Sequence, residues 1–457
     1  MRFSRWLYPG LRVKRWLVLF TVAAGCLGFG VAFSLSPGTM PALAAAIAAV
    51  LRGPDGQHVP RGVLAVVFLA VGAGLAVLAV RGAARSVLEV LSPGAATGLG
   101  EVLYLRRHAG RGPRIVALGG GTGLPVLLRG LKRYTDNLTA VVTMGDDGGS
   151  SGRLRGELGI LPPGDVRNCL LALADTEPLM ADLFQHRFQR GSLAGHSVGN
   201  LLLGGLSEVT GNFVEAIEAA SRVLAVRGRV LPSTVEHITL AAELEDGRLV
   251  RGETAIAAAG GRVRRLLVEP PEARALPHAV QAVLEADVVV IGPGSLYTSI
   301  LPNLCLQELR EALRRTRALR IFVVNVMTQP GETDGLSAAD HLTALQAEVG
   351  RPGVDVVLVN GAGVDEARLA PYRAQGSAPV AADAERCAAL GAHVLVRDVV
   401  THEGLVRHDP ERLAAAILDY ALRRLGPPQP RHLVDYYLMQ DRVRQARRAA
   451  PRTEPGR

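Results

Sequence analysis

Two uncharged apolar runs open the chain. Trp16 to Leu35 (WLVLFTVAAGCLGFGVAFSL) has twenty residues, enough at about 1.5 Å per residue to span a ~30 Å hydrocarbon core. Val63 to Val80 (VLAVVFLAVGAGLAVLAV) is slightly shorter and equally free of charge. Beyond Pro113 the pattern changes to short β-branched runs alternating with helical periodicity: Arg114 to Leu118, Leu138 to Thr143, Asp287 to Ile291, Arg320 to Val326 and Val354 to Val359. Each run stops at Gly, Ser, Thr, Asn or Asp, and near-continuous apolar strands alternating with helices predict a mainly parallel, doubly wound α/β sheet. Val235 to Glu253 alternates on both sides of Asp246 and Gly247, which predicts a β-hairpin of structural role at a sheet edge.

Charge sharpens the division. Of 51 Lys plus Arg and 42 Asp plus Glu, residues 1–112 hold 12 and 3, and the rest hold 39 of each. The basicity therefore belongs to the apolar segment and is no nucleic-acid footprint. Arg2, Arg5, Arg12, Lys14 and Arg15 precede the first run, and Arg81, Arg85, Arg106 and Arg107 follow the second; only Arg52 and Arg61 lie between. The positive-inside bias predicts a two-helix transmembrane hairpin, about 16–35 and 63–80, in the inner cell membrane with both termini cytoplasmic. Met40 to Leu51 would extend the first helix or lie in the interface. No AxA site follows the first run before Pro37, which argues against a cleaved signal peptide. The domains expected are a membrane anchor and linker (1–112), a globular domain (113–425) and a basic tail (426–457). Cys26, Cys169, Cys305 and Cys387 show no CxxC spacing, so neither a zinc ribbon nor a redox pair is written here.

Candidate chemistry gathers where the strands end. The first strand breaks into Gly119, Gly120, Gly121, Thr122 and Gly123, after which Pro125, Leu127, Leu128 and Leu131 open an apolar helix face. Glycines at a strand-to-helix turn let backbone N–H groups approach a phosphate closely. The dinucleotide fingerprint is incomplete, because Leu124 stands at the place of its third glycine, and a bare turn would need no ligand. The second strand runs into Asp146 and Asp147, fit for ribose hydroxyls or Mg²⁺, then Ser150, Ser151 and Arg153, fit for phosphate. As a solvated turn these residues would need no such role. Asp165 is suited to cap a helix at Cys169 to Ala174, followed by Arg167 and Asn168. Further loops hold His196, Ser197 and Asn200; Gly292, Pro293, Gly294 and Ser295; and Asn325, Thr328 and Gln329. A doubly wound sheet would collect these on one edge. His402 and Glu403 read as surface residues. No HExxH, GxxxxGK[ST] or GxSxG occurs, so zincin, P-loop and α/β-hydrolase chemistry have no support.

The segments GGGTGLPVLLRGLK (119–132), GDDGGSSGRLR (145–155), PPGDVRN (162–168), FQHRF (184–188), GHSVGN (195–200), IGPGSLYTSILPNL (291–304) and NVMTQPGETDG (325–335) together resemble the YvcK group, the gluconeogenesis factors. The resemblance runs from about Arg114 to Leu425. It implies a CofD-like fold that binds UDP-sugars, notably UDP-N-acetylglucosamine, and supports cell shape and peptidoglycan precursor supply during gluconeogenic growth, with no fixed cofactor. It implies ligand contacts from the loop residues named above. A regulatory protein partner and a homo-oligomer stay open. The related 2-phospho-L-lactate transferase moves a phospholactyl group onto a deazaflavin with Mg²⁺, which on this chain would fall to Asp146, Asp147 and His196. The hairpin departs from the usual cytosolic members of the group.

Overall fold

The computed structural model describes residues 14–34, 61–91, 112–426 and 433–449. They fall into two units, Met1–Arg107 and His108–Arg457. In the first, the apolar runs form helices Lys14–Ser34 and Arg61–Leu91, both long and apolar enough to cross a membrane. The second helix continues well beyond Val80 to Leu91, where Arg81, Ala83 and Ala84 are good helix formers. Small residues bring the pair together: a Cβ on Gly72 would meet Leu27 N at 2.9 Å, and one on Gly30 would meet Leu69 N at 2.9 Å. Close backbone approach of this kind is how apolar helices associate where burial supplies no driving force. Trp16 Nε1 donates to Ser86 Oγ at 2.8 Å, while Val18, Val66 and Leu78 face outward. Met40 to Leu51 and most of the flanking arginines lie outside the described residues.

In the second unit, near-continuous Val, Ile and Leu runs can only be satisfied by burial on both faces, and the strands accordingly occupy the middle of the core. They are β1 (Ile115–Gly119), β2 (Leu138–Val142), β3 (Arg229–Pro232), β4 (Thr239–Leu244), β5 (Leu249–Arg251), β6 (Val263–Glu269), β7 (Val288–Ile291), β8 (Leu319–Val323), β9 (Val356–Asn360) and β10 (His393–Arg397). Seven form one parallel sheet in the order β10-β9-β8-β7-β1-β2-β3. The five strands expected from the sequence are its interior. The additional β3 and β10 are its edges, where an exposed flank permits polar residues such as Arg229, His393 and Arg397. The chain winds from β1 outward through β2 to β3, then resumes at β7 on the other side of β1. Adjacent parallel strands whose connections leave in opposite directions open a crevice at their carboxyl ends, here between β1 and β7.

The expected hairpin is β4 and β5, joined by β6 into a small antiparallel sheet, β5-β4-β6. The expected tail is in part structural. Helix Leu433–Ala449 buries Tyr436, Met439 and Val443, Tyr436 Oη donates to Leu422 O at 2.5 Å, and the Arg442 guanidinium lies 5.3 Å from the centre of the Tyr134 ring.

Candidate functional site

The turn after β1 is shaped by absent side chains. A Cβ on Gly120 would lie 2.6 Å from Thr143 Cγ2 and 2.7 Å from Asp165 Oδ2, and one on Gly123 would lie 2.5 Å from Pro293 O. Gly121 adopts φ +61°. These glycines let the loops after β1 and β7 touch across the crevice, and Gly119 ends the strand beneath them. Thr122 is exposed and makes no side-chain cap. On the opposite wall Gly294 N donates to Asn325 Oδ1 at 3.2 Å, Asn325 Nδ2 donates to Gly294 O at 2.8 Å, and Gln329 Nε2 donates to Ser295 Oγ at 2.6 Å. Asn325 and Gln329, from the loop after β8, thereby brace the Gly292 to Ser295 loop. Thr328 has a different task, accepting from Ala378 N at 2.9 Å to pin a neighbouring loop.

Asp165 does not cap a helix as expected. Its helix, Gly164–Leu173, begins before it, so its carboxylate is free to reach sideways and accepts from Gly121 N at 2.6 Å. Burial raises its pKa to about 6, against the lowering effect of that N–H bond and with added repulsion from Asp146. Glu253 enters the sequence reading only as the end of the hairpin segment, with no site role. The β4–β5 hairpin, expected to be structural only, delivers it at the start of helix Glu253–Ala258. Burial, then the charges of Asp146 and Asp165 and a carboxyl contact with Asp146, push it up to about 8. Asp146 also accepts from Gly148 N at 2.9 Å, and Asp147 accepts from Thr254 N at 3.0 Å and Thr254 Oγ1 at 2.8 Å. The crevice thus has an acidic floor of Asp146, Asp165 and Glu253, with Asp147 fastening the hairpin to it. Only the position of Glu253 after a strand-ending glycine hinted at this, and any solvated turn offers the same hint.

The remaining candidates form a polar network beside that floor. Ser150 Oγ lies 3.0 Å from His196 Nδ1 and accepts from Asn200 Nδ2 at 3.1 Å, and Ser151 Oγ accepts from Gly164 N at 3.1 Å. Arg167 donates to Ser197 Oγ and, at 2.8 Å, to Asn168 Oδ1. Ser197 caps helix Val198–Thr210 through Asn200 N. Arg153 Nη2 donates to Ala194 O at 2.9 Å. Desolvation, then Arg153, lowers the pKa of His196, which favours the neutral ring. His402, exposed as expected, bonds Asp398. A groove of about 480 Å³ lined by Arg274, Leu284, Glu308 and Glu311, among others, contains none of these residues.

Among the described residues no three His, Cys, Asp or Glu side chains are grouped to hold a metal ion by themselves. Mg²⁺ does not require that. It keeps waters and takes one or two carboxylates together with ligand phosphates. Burial, and then the charge of Asp146, raise the pKa values of Asp165 and Glu253, and a cation beside them would act in the opposite direction. The donor set fits Mg²⁺ in that shared mode.

Known proteins resemble this chain over most of its length. The family model described as 2-phospho-L-lactate transferase CofD matches residues 115–400. A protein of Nostoc sp. (strain PCC 7120 / SAG 25.82 / UTEX 2576) is 45% identical over 437 residues, 92% of this chain and 92% of its own length. Such a span necessarily extends into the first 112 residues. The gluconeogenesis factor of Bacillus subtilis (strain 168) is 47% identical over 312 residues, 68% of this chain and 98% of its own. A crystal structure of a UPF0052 family member from Bacillus halodurans is 48% identical, with TM-score 0.65 over 66% of this chain and 98% of that one.

Proposed function

Because this chain belongs to the CofD family and, within it, to the gluconeogenesis factors, we propose that it is a membrane-tethered binder of UDP-sugars, notably UDP-N-acetylglucosamine, that regulates peptidoglycan precursor supply and cell shape from the cytoplasmic face. The observation that carries this reading is the convergence of the Gly119 to Gly123 turn, the Gly292 to Ser295 loop and Asp146 at the crevice between β1 and β7. Loops at such a switch point are where open α/β sheets hold nucleotides. The glycine turn offers close backbone approach to a diphosphate, and Asp146, with Asp165 behind it, would hold Mg²⁺ against the phosphates and offset their charge. The two apolar helices and the arginines around them support tethering. Calorimetry on the full chain in detergent tests the reading: UDP-N-acetylglucosamine binds the wild type and fails to bind Gly121→Arg. Absence of binding to the wild type removes it.

A second reading, a transferase like the 2-phospho-L-lactate enzyme, is favoured by the acidic floor. Bound Mg²⁺ would there stabilise charge developing on a phosphoryl oxygen. The protein's own part would be to orient the donor with the two glycine-lined loops, with His196 in its neutral form beside Ser150. Turnover of a guanylylated phospholactate donor and a deazaflavin acceptor, lost in Asp146→Asn, would support this reading over the first.

A further inference from the structure

Three arginines around one turn are left over by that account. Arg153 donates to Ala194 O, Arg187 to Gly195 O and Arg167 to Ser197 Oγ, so their guanidinium groups all reach the short segment 194–197 that contains His196. Among the described residues none of the three stands in an ion pair. The amino ends of three helices meet at the same place. Ser150 of helix Gly149–Leu158 and Asn200 of helix Val198–Thr210 are bonded to each other, and Gly164, which starts the third, bonds Ser151. Helix amino ends and unpaired guanidinium groups add charge of one sign.

Two buried polar atoms there have no partner. Arg167 is 9% exposed and Asn200 2% exposed, yet Arg167 Nε and Asn200 Oδ1 are both unbonded. A buried donor and a buried acceptor left empty are costly in a folded protein unless something else fills them. Arg167 already carries a lowered pKa, from burial and then from the charge of the exposed Arg187.

We propose that Arg153, Arg167, Arg187 and His196, with the three helix amino ends, form an oxyanion subsite that takes a phosphoryl group, separate from the glycine turn. The electrostatics divide the labour. At the turn, Gly121 N–H is already taken by the Asp165 carboxylate, and Asp146 and Glu253 make the floor negative, so an anion there needs a cation beside it. At the arginine cluster it needs none. Arg167 Nε supplies the free donor, and Asn200 Oδ1 accepts from a hydroxyl next to the phosphoryl group. The subsite adjoins the crevice, since Arg167 and Asp165 share a helix, and its use by a nucleotide rests on the function proposed above.

The test is titration of the full chain in detergent with inorganic phosphate and with UDP-N-acetylglucosamine, for wild type, Arg187→Gln, Arg153→Gln and the neighbouring exposed Arg190→Gln. Phosphate affinity is expected to fall roughly tenfold or more in the first two variants, as for loss of a charged hydrogen bond, and to be unchanged in Arg190→Gln. Competition between phosphate and the nucleotide sugar supports occupation by the nucleotide's own phosphate; phosphate binding without competition supports the subsite as a receptor for a separate phosphoryl group. Phosphate that does not bind, or binds wild type and Arg187→Gln alike, overturns the subsite. Failure of the nucleotide sugar alone, with phosphate still bound through the arginines, overturns the nucleotide reading and leaves the subsite standing.

Discussion

The Asp165 carboxylate accepts a hydrogen bond from Gly121 N–H at 2.6 Å, joining the turn after β1 to helix Gly164–Leu173. A negative group therefore occupies the donor that the glycine sequence advertises for a phosphate. Burial of that group raises its pKa to about 6 from an ordinary value of 3.8. The folded protein thus binds the proton more tightly than the unfolded chain, so this group's contribution to stability is full below pH 3.8 and is lost as pH rises through 6.

Replacing the charge while keeping the acceptor isolates that cost. Asp165→Asn should stabilise the ligand-free protein at pH 7, by on the order of 1–3 kcal/mol, and flatten the fall in melting temperature between pH 4 and 7. Thermal unfolding across that range measures both. A variant less stable than wild type at pH 7 would show that the charged form is favoured in the fold.

The contact between the two glycine-lined loops predicts a steric effect. In Gly123→Ala the new Cβ would sit 2.5 Å from Pro293 O, and the loops after β1 and β7 must separate. The expected loss is roughly 1–3 kcal/mol, as for overpacking elsewhere, read from denaturant unfolding, together with weaker nucleotide-sugar binding. Gly149→Ala, where a Cβ meets nothing within 4 Å although φ is +48°, separates backbone strain from collision and should leave the spacing of the two loops intact.

The outward faces of the first two helices predict membrane behaviour. Val71 and Leu78 are exposed on helix Arg61–Leu91. Arginine at a membrane-spanning centre costs about 2.5–3.5 kcal/mol per residue. Val71→Arg combined with Leu78→Arg should move the protein from the carbonate-resistant membrane pellet toward the soluble fraction, whereas the wild type stays in the pellet.

Near the carboxyl end, Tyr436 ties the last described helix to Leu422 O. Tyr436→Phe keeps the ring and removes the bond, at an expected cost of about 1 kcal/mol. Truncation after Gly426 should cost more, because it uncovers the surface that Tyr436, Met439 and Val443 bury. Melting temperatures of the two variants rank these effects.

The interior of the sheet and the two apolar helices were legible because their signals are local. Val288 to Ile291 must be buried on both faces wherever it lies, and an uncharged run of twenty residues announces its preferred surroundings. The edge strands β3 and β10 were not legible, since one exposed flank mixes polar residues into them. Helix Leu433–Ala449 looked like a charged tail because only Tyr436, Met439 and Val443 among its described side chains are buried.

For the site, the sequence by itself determined which loops carry small and polar residues at strand ends, and parallel winding obliges those ends to share an edge. Only the tertiary structure decided what each group faces. Glu253 reaches Asp146 across more than a hundred residues of chain, Asp165 turns from a helix cap to a partner of Gly121, and three arginines meet at one turn. Electrostatic interaction depends on distance in space and on burial, and neither is a property of a residue's neighbours along the chain.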